Sequence, residues 1–402
     1  MNSLTAVDVY KIVNDINSQM FGTKEIAVID TTSFVSVGEK ILRSGTENIM
    51  DAMAVTFMNN YFPNTPYIGK VRIIDETAER WGAITLETVP LHMDEEASED
   101  TNTNLNTNQF NDGNSVDMYK IKKPKVVQLK FYGTKKEQNH ITRLDDQLSQ
   151  AFRSVEEFSN FYTSVMTEFR NDIEQTMEAG RRLAICNYIA GLSAMGLYKI
   201  DLTKEYNTEH ETTYTGLQLR TTYAKDFVPW FVAYVQNLSD CMTERSTMYH
   251  ANFTDQNILR FTPKEYQKFI MLNSFWKQAQ TSVLSAAFND KYLKIADVEF
   301  VNYWQSIKYP EQIKIKPNIL DLATGESKNA TNNVELPYVL GCIFDRRAVG
   351  VNYQFTKTIT TPVNAAGDYY NTYVHYRKNY WNNYTHNGVV FVMGEGADGK
   401  VI

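Results

Sequence analysis

The segment Gly394-Glu-Gly396-Ala-Asp-Gly399 matches the string GxGxxG, which cradles a phosphate when a helix N-terminus follows it. Three residues follow here, so the segment reads as a flexible tail. Glu209-His-Glu211 has the side chains of a metal site. A structural site needs about four converging ligands, and a solvated polar loop is the expected role. The histidines stand at 92, 140, 210, 250, 375 and 386, with no HExxH or HxH among them. His375 and His386 lie among tyrosines and are expected to pack at a surface or interface. Asp345-Arg346-Arg347, between two strand-like runs, could be a charged active-site loop; a turn with an ion pair is the simpler reading. The acidic run 94–117 could attract a cation but lacks the EF-hand order of ligands. No GxSxG, SxxK or Walker sequence occurs. Cys186, Cys241 and Cys342 lie far apart, as plain buried thiols of a reducing compartment would. No catalytic, cofactor-binding or metal residue is therefore assigned, no cofactor is expected, and an enzyme is not.

One further stretch invites a binding role. Lys120 to Lys136 interleaves lysines with Phe131 and Tyr132, a pattern that can contact nucleic acid. Lysines on a hairpin edge also discourage wrong strand pairing, and that reading is preferred. Lys plus Arg number 40 against 47 Asp plus Glu, a net charge of −7, which argues against a dedicated duplex-binding protein. Four Asn-x-Ser/Thr sequons, at Asn237, Asn252, Asn329 and Asn383, carry little meaning when the N-terminus has no apolar signal region. The longest apolar run without charge, Leu183 to Tyr198, is too short to span a bilayer, so no membrane partner is expected.

The elements that would position these residues come next. At 402 residues the chain should form two or three lobes, and 13% aromatic content favours sheet and subunit contact. Thr5 to Met20 reads as an amphipathic helix, Ala27 to Val37 as β-rich, and Glu47 to Tyr61 as a helix stopped by Pro63 and Pro66. Tyr67 to His92 and Lys120 to Tyr132 read as two arms of a long hairpin. Between them lies a polar tip at 94–117 with seven acidic residues and no Lys or Arg. An isolated hairpin is marginal in water, so a neighbouring subunit is its expected support.

Ser154-Val-Glu-Glu157 is a capping box opening a helix to Ala190, with Gly191 or Gly196 as its C-cap. Further on, Tyr214 to Thr222 reads as a strand, Asp226 to Met242 as a helix with Pro229 in its first turn, and Ile258 to Phe261 as a short strand. Thr262-Pro-Lys-Glu265 reads as a second capping box for a helix through Ile270. Ser274 to Phe288 is an expected helix, Leu293 to Tyr303 a strand, and Thr324 to Asn333 a polar loop. Strands are expected at Leu336 to Phe344, Gly350 to Thr358, Thr372 to Trp381 and Gly388 to Met393.

Four stretches also resemble a known family. They are Val35-Ser-Val-Gly-Glu-Lys-Ile-Leu42, Lys125-Val-Val-Gln-Leu-Lys-Phe-Tyr132, Phe288 to Phe300, and Asp345-Arg-Arg-Ala-Val-Gly-Val with Tyr369 to Arg377 and Gly388 to Met393. In this order they resemble the major capsid proteins of tailed bacteriophages with the Hong Kong 97-type fold, nearest the short-tailed phages of the phi-29 type.

The resemblance implies an α+β capsid fold with an N-arm at 1–66 and an extended β-hairpin loop at 67–135. A peripheral lobe at 136–197 would carry the spine helix 155–190. An axial lobe at 198–340 and closing strands with a tail at 341–402 complete the chain. Departing from the phi-29 pattern, no appended immunoglobulin-like domain is expected after the last strand. The implied function is self-assembly, as hexamers and pentamers, into the icosahedral shell around phage double-stranded DNA. Portal protein would be a partner, with or without a scaffolding protein, contact with packaged DNA would be non-specific, and assembly would occur in the host bacterial cytoplasm. Two alternatives are an encapsulin-like nanocompartment shell and a glycan- or receptor-binding virion surface protein.

Overall fold

The computed structural model describes residues 67–76, 84–90, 126–132, 135–144, 155–253, 257–282, 297–367 and 369–394, with residues 10, 11, 13–15, 37 and 119. The acidic tip 94–117, the helix expected at 47–61 and the capping residue Ser154 lie outside them. Of the N-terminal helix, Tyr10, Lys11, Val13, Asn14 and Asp15 are helical. Val37, expected in a β-rich run, is helical and buried.

Apolar residues stepping by three and four produce one long helix, α1 (Val155–Ala194), about 60 Å at 1.5 Å per residue. It ends in a Schellman motif. The Gly196 N–H donates to the Ser193 carbonyl at 3.2 Å and the Leu197 N–H to the Leu192 carbonyl at 2.9 Å. Gly196 supplies the left-handed φ of 68° that this closure requires.

The strands, in chain order, begin with β1 (Ile84–Pro90), β2 (Val126–Tyr132), β3 (Lys135–Leu144), β4 (Lys199–Asp201), β5 (Gln267–Leu272) and β6 (Asp297–Val301). There follow β7 (Ile313–Ile315), β8 (Asn318–Leu320), β9 (Ser327–Asn329), β10 (Val334–Leu336), β11 (Val339–Asp345), β12 (Val349–Thr360), β13 (Tyr369–Asn382) and β14 (Gly388–Val392). The further helices are α2 (Leu202–His210), α3 (Gly216–Arg220), α4 (Ala224–Cys241) and α5 (Asn273–Ser282).

The chain divides into two units. The first comprises residues up to Lys70, Thr134–Gly180 and Asn352–Asn379. Its sheet has the order β12-β13-β3. Along β13, Tyr370, Thr372, Val374 and Tyr376 are buried while the intervening residues reach solvent, the period-two signature of a sheet covered on one face. Tyr353 donates from its hydroxyl to the Met177 carbonyl of α1 at 2.7 Å. Tyr67 donates to the Glu178 carboxylate, and the Gly69 N–H to Glu174 at 3.1 Å.

The second unit comprises Val71–Gly133, Arg181–Val351 and the chain from Tyr380. Its five-stranded sheet has the order β4-β14-β11-β5-β6. The outer pairs, β4 with β14 and β5 with β6, are parallel; the inner pairs are antiparallel. Strands β5, β11 and β14 are buried at every residue; β14 is a continuous apolar run, whereas β5 begins with the buried Gln267 and Lys268 and β11 ends in the buried Asp345. Each face is covered by helix. On one, Tyr188 of α1 meets Phe344 with ring centroids 6.1 Å apart. On the other, Phe231 of α4 meets Phe391 at 5.9 Å and Phe275 of α5 at 5.7 Å. Glycine at 341 and 388 makes this layering possible. A Cβ there would fall 2.7 Å from the Ile270 carbonyl oxygen and 2.0 Å from the Tyr188 hydroxyl.

Several sequence expectations change. Gln267–Leu272 is the central strand β5, preceded by a single 3-10 turn at Lys264–Tyr266, rather than a helix. The Thr262 hydroxyl donates instead to the Asp345 carboxylate at 2.9 Å. Pairing on both edges and burial of Phe269, Ile270, Met271 and Leu272 outweigh the local helix signal. Residues expected as a strand at 214–222 contain α3, whose own capping box joins Thr215 to Gln218. Pro229 lies in the second turn of α4, which begins at Ala224. At 258–261 there is one bridge, Ser246 to Arg260, and at 72–74 a 3-10 turn replaces the start of the hairpin arm. The polar loop 324–333 includes the short strand β9.

Candidate functional site

Sequence order scatters the polar residues that the fold assembles at the base of the hairpin. Strands β1 and β2 pair in antiparallel register from Ile84–Tyr132 to Pro90–Val126. Their inner residues Val89 and Leu129 pack on Ile258, with Val127, Phe131 and Phe253 around them. The described stem is therefore supported by its own chain, whereas a neighbouring subunit was expected to hold the hairpin.

Beside this apolar cluster sits Glu87. Its Oε1 accepts from Arg260 Nη2 at 2.8 Å and lies 2.8 Å from His386 Nε2, and its Oε2 accepts from the Asn383 amide. Arg260 also donates through Nε to the Thr385 carbonyl at 3.1 Å. Asn383 Oδ1 accepts the Thr385 N–H at 3.1 Å and its hydroxyl at 2.7 Å. Burial opposes ionisation of Glu87, but the bond and charge of His386, then those of Arg260, hold its pKa down at about 2. A carboxylate on a histidine could suggest acid–base chemistry. Here His386 is buried and every partner of Glu87 belongs to the scaffold, so the arrangement clamps the stem. It places His386 in the interior, away from the surface or interface position expected of it.

The remaining candidates resolve into structure. Glu209 and His210 end α2 and Glu211 is its left-handed C-cap. Glu209 accepts the Trp230 indole N–H at 2.6 Å, and His210 stacks on Tyr206 at 4.1 Å. Asp345 closes the β11–β12 turn by accepting the Arg347 N–H at 2.9 Å, while Arg346 lies 4.1 Å over the Tyr266 ring. Gly394 is tied down, its carbonyl accepting the Thr203 hydroxyl at 3.0 Å; the rest of that motif lies outside the described residues. Burial pushes the Cys186 thiol up to about 12 and raises that of Cys342 as well, which marks both as inert, whereas Cys241, expected to be buried, is exposed at the end of α4. Asn383 is 3% exposed, so its sequon is closed in the folded chain. Among the described residues no group of three or more His, Cys, Asp or Glu could hold a metal ion, and no helix is long and apolar enough to cross a membrane.

His375 and His140 stand elsewhere, on the outer side of the β3–β13 pair. His140 stacks on Tyr373 with centroids 5.2 Å apart. Lys136 and Arg377 are directly opposed in that register, as are Lys135 and Lys378.

Sequence reasoning missed the Glu87 clamp, whose members lie up to 299 residues apart. One signal was present: Asn383-Tyr-Thr-His-Asn387 is a polar run between two strands, and all five residues are buried. Buried polar runs must be hydrogen-bonded, and this one reaches back to β1.

The comparisons with known proteins agree with one another. The model of the Phi29-like phage major capsid protein family matches residues 31–392. A chain of the capsid structure of Staphylococcus phage Andhra is similar with a TM-score of 0.50 at 11% identity, covering 81% of this chain and 85% of that one. A chain from the structure of head fiber and inner core protein gp22 of native bacteriophage P68 gives a TM-score of 0.50 at 10% identity, covering 83% and 87%. No curated protein matches in sequence.

Proposed function

This chain belongs to the Phi29-like phage major capsid protein family, and we propose that its hairpin, clamped at Glu87, is held out to be grasped by a second copy during shell assembly. The protein is a phage major capsid protein with the Hong Kong 97-type fold; copies of it assemble into the capsid shell of the virion, and its role is structural. The observation that carries this conclusion is the family match over most of the chain.

The finer reading is ours. Residues 1–66 form an N-arm, 67–135 an extended loop with its acidic tip at 94–117, and 136–197 a peripheral lobe on the spine helix. Residues 198–340 form an axial lobe, and 341–402 supply closing strands and the tail. Hexamers and pentamers close an icosahedral shell around double-stranded DNA in the host bacterial cytoplasm, with a portal protein as partner, with or without a scaffolding protein. Contact with the packaged DNA is non-specific. Many small contacts repeated around a ring add through multivalency, so no single interface needs to be strong. The buried inner strands β14, β11 and β5, paired on both edges, support this reading, because a tile must keep its shape while its arms are exchanged.

Negative-stain electron microscopy of the full-length chain, expressed with and without a scaffolding protein, tests the proposal. Closed shells of uniform diameter are expected. A chain that stays monomeric under both conditions, or one that encloses a specific protein cargo, would overturn it.

A further inference from the structure

The outer face of the three-stranded sheet in the first unit carries an unusual set of side chains. Alternation along β3 puts Lys136, Gln138, His140 and Thr142 on it, all exposed. The β13 residues opposite them are Arg377, His375, Tyr373 and Asn371. Thr360 of β12 meets Thr372 on the inner side at 3.3 Å, so alternation turns Lys357 and Ile359 outward, and both are exposed. None of these ten residues is acidic, in a chain with a net charge of −7. The one acidic residue among the described part of β3, Glu137, alternates to the inner side, where it pairs with Lys378 and accepts from the Tyr376 hydroxyl at 3.2 Å.

Two features of this face bear on what it meets. Lys136 stands directly opposite Arg377, and like charges so placed destabilise a sheet. Apart from Ile359, its other side chains are polar, several of them set in a row: His140 stacks on Tyr373 at 5.2 Å, Tyr373 on His375 at 6.3 Å, and the Thr142 hydroxyl bonds to Asn371 Oδ1 at 2.5 Å. Lysine, arginine, threonine, asparagine, glutamine and tyrosine are the residues that bind phosphate and sugar in DNA complexes. A three-stranded face is too broad for a groove that admits a helix or a two-stranded ribbon, so it meets the phosphate ridge and reads no sequence.

We infer that this face, centred on Lys136, Arg377 and Lys357, is the surface through which the subunit touches the phosphate backbone of duplex DNA. The inference rests on the reading above that packaged DNA meets the shell non-specifically, and it names the part of the chain that does so. One small cationic row per copy gives weak, salt-sensitive contact, which lets DNA slide while many copies neutralise it together.

The test uses the full-length unassembled chain and a short fluorescent duplex of mixed sequence, with binding followed by anisotropy across a salt series. Each phosphate contact contributes a slope of about −0.9 in log K against log salt. The double variant K136Q/R377Q should lose about 2 units of that slope and roughly tenfold in affinity at low salt. Its melting temperature should equal or exceed that of the wild type, because an unfavourable pair is gone. A variant with wild-type affinity and slope overturns the inference. So does a wild-type chain that ignores the duplex but binds polyglutamate, since the face would then receive an acidic protein segment. Shell formation is scored in parallel by electron microscopy. Wild-type chain that builds shells but ignores duplex sinks this face alone, while failure to build shells counts against the capsid reading.

Discussion

Arg260 and Glu87, separated by 173 residues in sequence, meet at 2.8 Å beneath the hairpin, and His386 reaches the same carboxylate oxygen from a third segment. One side chain on β1 thereby ties down two loops of the second unit. The apolar cluster of Val89, Leu129 and Ile258 lies beside it.

The first prediction concerns acid. The folded pKa of Glu87 is about 2 against an ordinary 4.5, so folding favours its ionised form. The associated stability is fully present above about pH 4.5 and is lost as pH falls toward 2. It amounts to on the order of 3 kcal/mol at neutral pH. Glu87→Gln should be less stable by that amount at pH 7 and by only about 1 kcal/mol at pH 3. Denaturant titrations of both chains at the two pH values measure it. A gap of equal size at both would show that the charge of Glu87 contributes nothing.

A second pH effect begins higher. His250 is buried, with Nδ1 2.8 Å from the Met248 carbonyl and 3.0 Å from Asn387 Oδ1, and Nε2 2.8 Å from the Ile258 carbonyl. Desolvation lowers its pKa despite these oxygens, and the Arg260 charge acts in the same direction. A histidine that resists protonation when folded loses stability as pH drops below its unfolded value of about 6.5, by up to about 1.4 kcal/mol per pH unit. His250→Gln should flatten that decline between pH 6.5 and 5. An unchanged slope in the variant would assign the decline to other groups.

Glycines at two positions should fail for different reasons. At Gly341 an added Cβ would lie 2.7 Å from the Ile270 carbonyl and 3.2 Å from the Phe269 ring, inside a sheet whose backbone cannot yield. Gly341→Ala should cost about 1–3 kcal/mol by overpacking. At Gly196 nothing lies within 4 Å, but φ is +68°. Gly196→Ala should cost about 1 kcal/mol from backbone strain alone. Urea midpoints rank the two, and a larger loss at Gly196 would contradict the packing argument.

The same contrast explains what could be read from sequence. The spacing of Phe169, Ile173 and Met177 is a local record of α1, and the helix runs from Val155 to Ala194 against an expected end at Ala190. Strands β11, β12, β13 and β14 were legible because their apolar and alternating runs are long. Strand β5 was not, because Thr262 and Glu265 imitate a capping box. What decides its fate is pairing with β11 and β6, together with the bond of Thr262 to Asp345, 83 residues further on. The reverse occurred at 214–222, where Thr215 and Gln218 held a true capping signal that aromatic and β-branched neighbours obscured. The Glu87 clamp needs three distant segments at once, and no window of sequence contains them.

The last prediction separates folding from assembly. Leu129 packs with Val89 and Ile258 under the stem, 8% exposed. Leu129→Ala should cost about 2–3 kcal/mol. Because an isolated hairpin is marginal, that loss should fall on the stem before it reaches the sheet. Amide exchange at residues 84–90 and 126–132 should then speed up by roughly 30- to 100-fold, while β5, β11 and β14 keep their protection. A subunit in that state is folded but no longer holds its hairpin at a fixed angle. Shell yield should drop with little change in soluble monomer. Shells formed at wild-type yield by a chain with an unprotected stem would show that neighbours capture the hairpin without any help from its base.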